Sequence, residues 1–224
     1  MADARLQAVY DAASFLFVKQ GYERTQVSEI AAQAGVATGT MYNLFSGKKA
    51  ILHFVLLCTF DKDYLRGDVE LPVQEVETSR LINHLHRVAG ELLEKLEHRA
   101  ATGEPSLTFS ETLTLTFDYA ANYQVAFNTI NDNRVVLKEV RQVYQQYVGR
   151  LYAIIEENFS LAISRGEVRQ VELPSLHIRN IIDHLIWWAM YLPYQVQDVK
   201  LDPTQAKQIA LDVLRHAYLV KPKE

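Results

Sequence analysis

The chain has 224 residues, 49% of them hydrophobic, and a net charge of −4, enough apolar material for a sizeable core but no general positive field for coating nucleic acid. Nine Gly and six Pro are too few for a loop-rich or all-β chain, and the single cysteine, Cys58, excludes an intrachain disulfide and fits a reducing cytoplasm. The longest apolar run, Leu185 to Tyr194, is half of the about 20 residues a membrane-spanning helix needs, and no basic-then-apolar leader precedes it, so a cytoplasmic protein with no membrane partner is expected.

Apolar residues at Leu6, Val9, Tyr10, Ala13, Leu16 and Phe17 recur at helical spacing and predict a helix over 4–20, stopped by Gly21. Two short helices follow, over 27–34 and 38–45, with Gly35 between them. Ser46-Gly47 breaks the pattern, and a long helix starts near Lys48 with Ile51, Leu52, Val55, Leu56 and Cys58 on its apolar side. After a linker from Gly67 to Gln74 that contains Pro72, a helix is predicted over 76–100. Gly103-Glu104-Pro105 marks a break. Residues 107–117 alternate as a strand would, but a lone strand would have no partner, so one or two helices are expected over 106–131. The longest periodic segment spans 134–164 and ends at Arg165-Gly166-Glu167. Pro174 opens a helix to Leu192, and Pro203 opens the last one to Tyr218. Nine or ten helices result, and the fold class is all-α.

The first three helices carry a helix-turn-helix signature. Gly35 supplies the positive φ that a tight inter-helix turn needs. Phe15, Ile30, Ala31, Ala34, Val36, Tyr42 and Phe45 are expected to form the small core beneath. The third helix then exposes Thr38, Gly39, Thr40 and Asn43, small or hydrogen-bonding residues suited to close approach in a DNA groove. Gly39 inside a helix costs about 1 kcal/mol relative to Ala, and close approach to a backbone is a reason to accept it. Tyr42 can give its hydroxyl to a phosphate, and Lys48 stands where a helix N-terminus also attracts one. Residues 1–50 hold five Lys/Arg against four Asp/Glu, and the remainder 18 against 23. DNA binding must therefore rest on a few placed contacts.

The sequence of small and apolar positions from Ala12-Ala13 and Phe15 through Gly21-Tyr22, Thr25, Val27, Glu29-Ile30-Ala31, Ala34-Gly35-Val36, Gly39-Thr40, Tyr42, Phe45, Lys48 and Ile51-Leu52 resembles the DNA-binding domain of TetR-family regulators over residues 5–55. The resemblance implies a homodimeric all-helical repressor, a recognition helix at about 38–44, phosphate contacts from Tyr42 and Lys48, and a backbone contact near Thr25. It also implies that the helix at about 48–65 moves as a lever. Two positions depart from the family pattern. Ala37 and Gln26 stand where Ser or Thr is usual, which leaves Thr38 and Thr25 as the expected helix caps. The domain division implied is 1–47 for DNA and 48–224 for effector binding and dimerisation.

The C-terminal part is less explicit. Ile163 to Arg169 looks like the turn that ends the family's long eighth helix, which puts the flanking helices in a dimer's four-helix bundle through Ile154, Ile181, Leu185, Ile186 and Ala189. Symmetry fits a reader of two half-sites about 34–36 Å apart. An apolar effector cavity is expected among Phe109, Phe117, Tyr123, Phe127, Tyr147, Trp187 and Trp188, with His84 and Arg87 orienting the ligand. His177/His184 and His84/His86 lack supporting carboxylates or thiols, so no metal site is expected. No nucleophile elbow, phosphate loop or Cys/His pairing is present, so neither an enzyme nor a cofactor is expected.

The function expected is thus a ligand-responsive repressor that binds a palindromic double-stranded operator as a homodimer and is released by a small hydrophobic effector. A fatty-acyl-responsive regulator is one alternative. A multidrug-responsive one is another, for which Glu111 and Asp118 are the acidic groups near the aromatics. A helical ligand carrier with a vestigial helix-turn-helix is a third.

Overall fold

The computed structural model describes residues 4–101, 107–192 and 202–220, and the side chains of all of these except 98–101. Ten α-helices lie among them: α1 (Ala4–Gln20), α2 (Val27–Gln33), α3 (Thr38–Leu44), α4 (Lys48–Phe60), α5 (Thr78–Ala101), α6 (Phe109–Asn122), α7 (Gln124–Asp132), α8 (Lys138–Ser164), α9 (Pro174–Ile186) and α10 (Pro203–Tyr218). A single 3-10 turn covers Tyr64–Arg66, and a π-helical turn, Trp187–Tyr191, continues α9. Among the described residues no strand forms beyond two isolated bridges. The all-α class is what the sequence indicated, and the ambiguous 106–131 stretch is two helices. Thr108 settles the start of α6: its hydroxyl accepts from the Glu111 amide at 3.2 Å, and the Glu111 carboxylate accepts from the Thr108 amide at 2.8 Å. This reciprocal cap satisfies two amides that the helix itself cannot.

The chain divides into two compact units, Met1–Val88 with Val125–Tyr144, and Ala89–Gln124 with Gln145–Glu224. In the first, every residue of α4 from Ala50 to Phe60 is buried. A helix apolar all round belongs in a core, and Phe45 packs edge-on against Phe54 at 5.1 Å there. Each such side chain contributes about 1.5–3 kcal/mol through burial. The helix is shorter than the 48–65 expected. Asp61 leaves helical geometry, and its carboxylate accepts from the Asp63 amide at 3.0 Å, the local competition by which Asp ends helices. Likewise α8 begins at Lys138 rather than 134. Cys58 is buried, and that burial pushes its thiol far above the ordinary value, so it stands as a small hydrophobe.

The second unit is built around Phe109, Phe159 and Tyr218, whose rings meet edge to face at 5.1, 6.4 and 5.8 Å. Gly166, at φ +72°, turns the chain after α8. Val168 then bridges Leu219, with the Arg169 amide donating to the Tyr218 carbonyl at 3.0 Å. No described helix is long and apolar enough to cross a membrane. The expected break at Gly103-Glu104-Pro105 lies outside the described residues, as does Tyr194.

Candidate nucleic-acid interface

The turn between α2 and α3 is closed by backbone alone. Gly35 takes φ +68°, its amide donates to the Ala32 carbonyl at 3.2 Å, and the Val36 amide reaches the Ala31 carbonyl at 3.0 Å. Only Gly holds that φ without steric cost. Ala37 is the N-cap of α3, extended and with no side-chain cap, and Thr38 is the first helical residue. The expectation that Thr38 caps α3 is therefore corrected: its side chain is on the exposed face.

The heptad of α3 divides cleanly. Met41 and Leu44 point inward and are buried, while Thr38, Gly39, Tyr42 and Asn43 are exposed and Thr40 is half-buried. Tyr42, 62% exposed, is not part of the small core as the sequence suggested. Ile30, Ala31 and Phe45 are buried there, joined by Met41 and Leu44, and Phe15, Ala34 and Val36 are half-buried. No side chain lies within 4 Å of where a Cβ on Gly39 would stand, so the fold does not require that glycine.

Thr25 is 1% exposed, and its hydroxyl donates to the Gly21 carbonyl at 2.8 Å. It does not cap α2. That N-cap is Gln26, whose amide donates to the Glu29 carboxylate at 2.7 Å. Thr25 therefore braces the turn after α1 from inside, and the hydroxyl is turned away from solvent.

Lys48 opens α4. Its Nζ lies 4.3 Å from the centre of the Tyr22 ring and donates to the Glu23 carbonyl at 3.2 Å. Lys49 beside it pairs with Glu75 at 2.9 Å. The candidate positions Thr38, Gly39, Thr40, Tyr42, Asn43 and Lys48 thus come from α3 and the start of α4, all within the first unit. The aromatic seat of Lys48 was not legible in the sequence, because the partners are 26 residues apart and share no periodic pattern.

The effector candidates divide between the two units. In the first unit, Arg87 donates to the Phe60 carbonyl at 2.9 Å, His84 stacks on the Phe60 ring, and Phe127 stacks on Tyr144. In the second, Phe109 and Phe117 are core, Tyr123 lies against Tyr119, Tyr147 is half-buried, and Trp187 meets Trp188 edge-on. A groove of about 790 Å³ in that unit is lined by none of them. It carries Glu91, Glu94, Lys95, Glu111, Asp118 and Arg215 beside a few small and apolar side chains. Glu111 is engaged in the α6 cap, and Asp118 pairs with Lys207 at 2.7 Å, so neither is an open receptor for a cationic drug.

Among the residues expected at a dimer interface, Ile181 and Leu185 are 0% and 1% exposed in the single chain, Ile154 and Ala189 are buried, and Ile186 is half-buried. These side chains fill the chain's own core. His177 pairs with the Tyr218 hydroxyl at 3.0 Å and His184 with the Ala210 carbonyl at 3.1 Å.

A small helical unit that buries one face of a seven-residue helix, offers the other to solvent and seats a cation beside it has the geometry of a helix-turn-helix. Residues 9–55 match the family model described as bacterial regulatory proteins, tetR family. It is 50% identical over 44 residues to the fatty acid metabolism regulator protein of Bacillus subtilis (strain 168), covering 20% of this chain and 23% of that one. It is 27% identical over 141 residues to the uncharacterized HTH-type transcriptional regulator YvkB of the same organism, covering 63% and 66%. The matched region thus spans less than two thirds of either relative. The fold is shared with the ketosteroid transcriptional regulator KstR2 of Mycobacterium tuberculosis, at a TM-score of 0.54 and 13% identity over 99% of this chain and 98% of that one.

Proposed function

We propose that the protein is a transcriptional repressor that binds a palindromic operator as a homodimer and leaves it when a small hydrophobic effector binds. The observation that carries the reading is the division of α3, with Met41 and Leu44 buried and Thr38, Gly39, Tyr42 and Asn43 presented outward beside Lys48. We keep 1–47 as the DNA-reading part and 48–224 as the effector and dimer part. A match of 44 residues to a fatty-acid regulator does not carry effector identity.

For the dimer we move the interface to exposed stripes of the same two helices. Leu176, Asn180, Asp183 and Trp187 follow one another at helical spacing along α9 and its continuation, with Leu176 62% and Trp187 41% exposed. Ala153, Glu157, Ser160 and Ser164 do so on α8. The small Ala153, Ser160 and Ser164 on α8 and the large apolar Leu176 and Trp187 on α9 and its continuation suit close packing between copies.

The test is fluorescence anisotropy of the purified protein on DNA from upstream of its own gene, and on duplexes selected from a randomised pool, at several salt concentrations. The Tyr42→Ala variant is run beside it. Salt-dependent, sequence-selective binding that the variant loses establishes the reading. A protein that selects no duplex, and whose ligand binding is untouched by Tyr42→Ala or Thr40→Val, is a carrier instead. Because effector and operator compete through one equilibrium, DNA must weaken effector affinity by the factor that effector weakens DNA.

A further inference from the structure

The chain between α4 and α5 returns to the recognition helix. The Val73 amide donates to the Leu44 carbonyl at 2.8 Å, and the Ser46 amide donates to the Val73 carbonyl at 3.0 Å. This makes a parallel bridge between Phe45 and Val73 at the end of α3. The Leu44 carbonyl belongs to a last helical turn, which has no acceptor-satisfying amide of its own. The Val73 side chain is buried. Two residues later the Glu75 carboxylate meets Lys49 at 2.9 Å, and the Val76 amide donates to Nδ1 of His53 at 3.1 Å. His53 is itself buried in α4. Helix α5 then starts at Thr78. Residues 73–77 therefore join the last turn of α3 to the first turn of α5, and every link lies in the first unit.

The His53 link sets a chemical condition. Nδ1 accepts only when it carries no proton, so the ring is neutral with its hydrogen on Nε2. Burial, followed by the nearby Lys49, lowers the imidazole below its ordinary pKa and Glu75 opposes this in part, which keeps the acceptor present at neutral pH.

We propose that residues 73–77 are a strap that fixes the recognition helix by its C-terminal end, with Val73 and His53 as positioning residues for DNA reading. This rests on the DNA-binding reading above and adds a route to it. A displacement of the first turn of α5 reaches α3 through five residues of main chain, without travelling the length of α4.

The test compares His53→Leu, similar in size but without an acceptor, with His53→Asn, which returns an oxygen near the place of Nδ1. Two quantities are read: amide hydrogen exchange at Val73, Val76 and Ser46 in the free protein, and the ratio of affinities for a duplex selected by the wild-type protein and for a scrambled duplex at the same salt. In His53→Leu, exchange at Val73 and Ser46 should rise about tenfold and the affinity ratio should fall about tenfold, as for the loss of one buried hydrogen bond, with scrambled-duplex affinity unchanged. His53→Asn should restore both. If His53→Leu does not fold, Val73→Ala against Val73→Ile gives the same two readouts. The proposal is overturned if Val73 and Ser46 are freed while the ratio holds, or if Val76 alone is freed. A wild-type protein that selects no duplex refutes the DNA-binding reading itself, and the exchange data then decide by themselves whether the strap holds α3.

Discussion

Lys48 sits over the Tyr22 ring, its ammonium 4.3 Å from the ring centre and 3.2 Å from the Glu23 carbonyl. An ammonium carries three donors, so one bond to Glu23 leaves it able to meet a phosphate from a fixed position. The contact of cation with ring contributes about 0.5–1 kcal/mol at such an exposed site. Lys48→Gln should therefore lower stability slightly and weaken binding to all duplexes alike. The slope of log K against log salt should shrink by about one unit. Titration at four salt concentrations reads this directly, and an unchanged slope assigns Lys48 a purely structural role.

Gly35 and Gly39 should respond to alanine in opposite ways. At Gly35 the φ of +68° makes any side chain strained, so Gly35→Ala should cost about 1–2 kcal/mol. At Gly39 a Cβ meets nothing and the backbone is helical, so Gly39→Ala should stabilise by up to about 1 kcal/mol. If that glycine serves close approach to DNA, the more stable Gly39→Ala protein binds its operator less well. Urea unfolding paired with anisotropy separates the two effects, and a Gly39→Ala protein with full affinity removes close approach as the reason for the residue.

Stability should fall with acid in a way that His53 partly explains. Its folded pKa is lowered by burial first and Lys49 second, so the unfolded chain takes up its proton first as pH drops. The stability held by the neutral ring is complete above the ordinary value of about 6.5 and is lost as pH falls from there through the folded value. His84, lowered by burial and by Arg87 and Arg80, adds to the same loss. Urea midpoints between pH 8 and 5 should thus decline less steeply in His53→Asn than in the wild type. Parallel curves would show that His53 is not among the groups responsible.

Exposed apolar residues on α9 make the dimer proposal testable without touching the core. Leu176→Glu with Trp187→Glu should convert a dimer into a folded monomer, visible by sedimentation, and should abolish binding to a two-half-site operator. Loss of helical signal in the same variant would instead mean that these side chains stabilise the single chain. Ile181→Glu serves as the contrast. A charge placed at that buried position should unfold the protein rather than dissociate it.

What the sequence determined by itself is local and periodic. Helical spacing located α1, α2 and α3, and Gly35 and Pro203 marked a turn and a helix start within a residue of where they stand. The outward set on α3 was legible too, because spacing assigns faces to a short helix once one face is known to be apolar. Tertiary structure decided the rest. Tyr42 reads as apolar in a pattern but is outward, and Thr25 reads as a cap but is turned into the core. Ile181 and Leu185 form a stripe that a partner or the chain's own core could equally cover, and periodicity does not say which. The strap from Val73 to Leu44 and from Val76 to His53 joins positions 23 to 29 residues apart through backbone amides. Backbone groups are the same at every residue, so no side-chain pattern announces where they meet, and only the folded path of the chain brings them together.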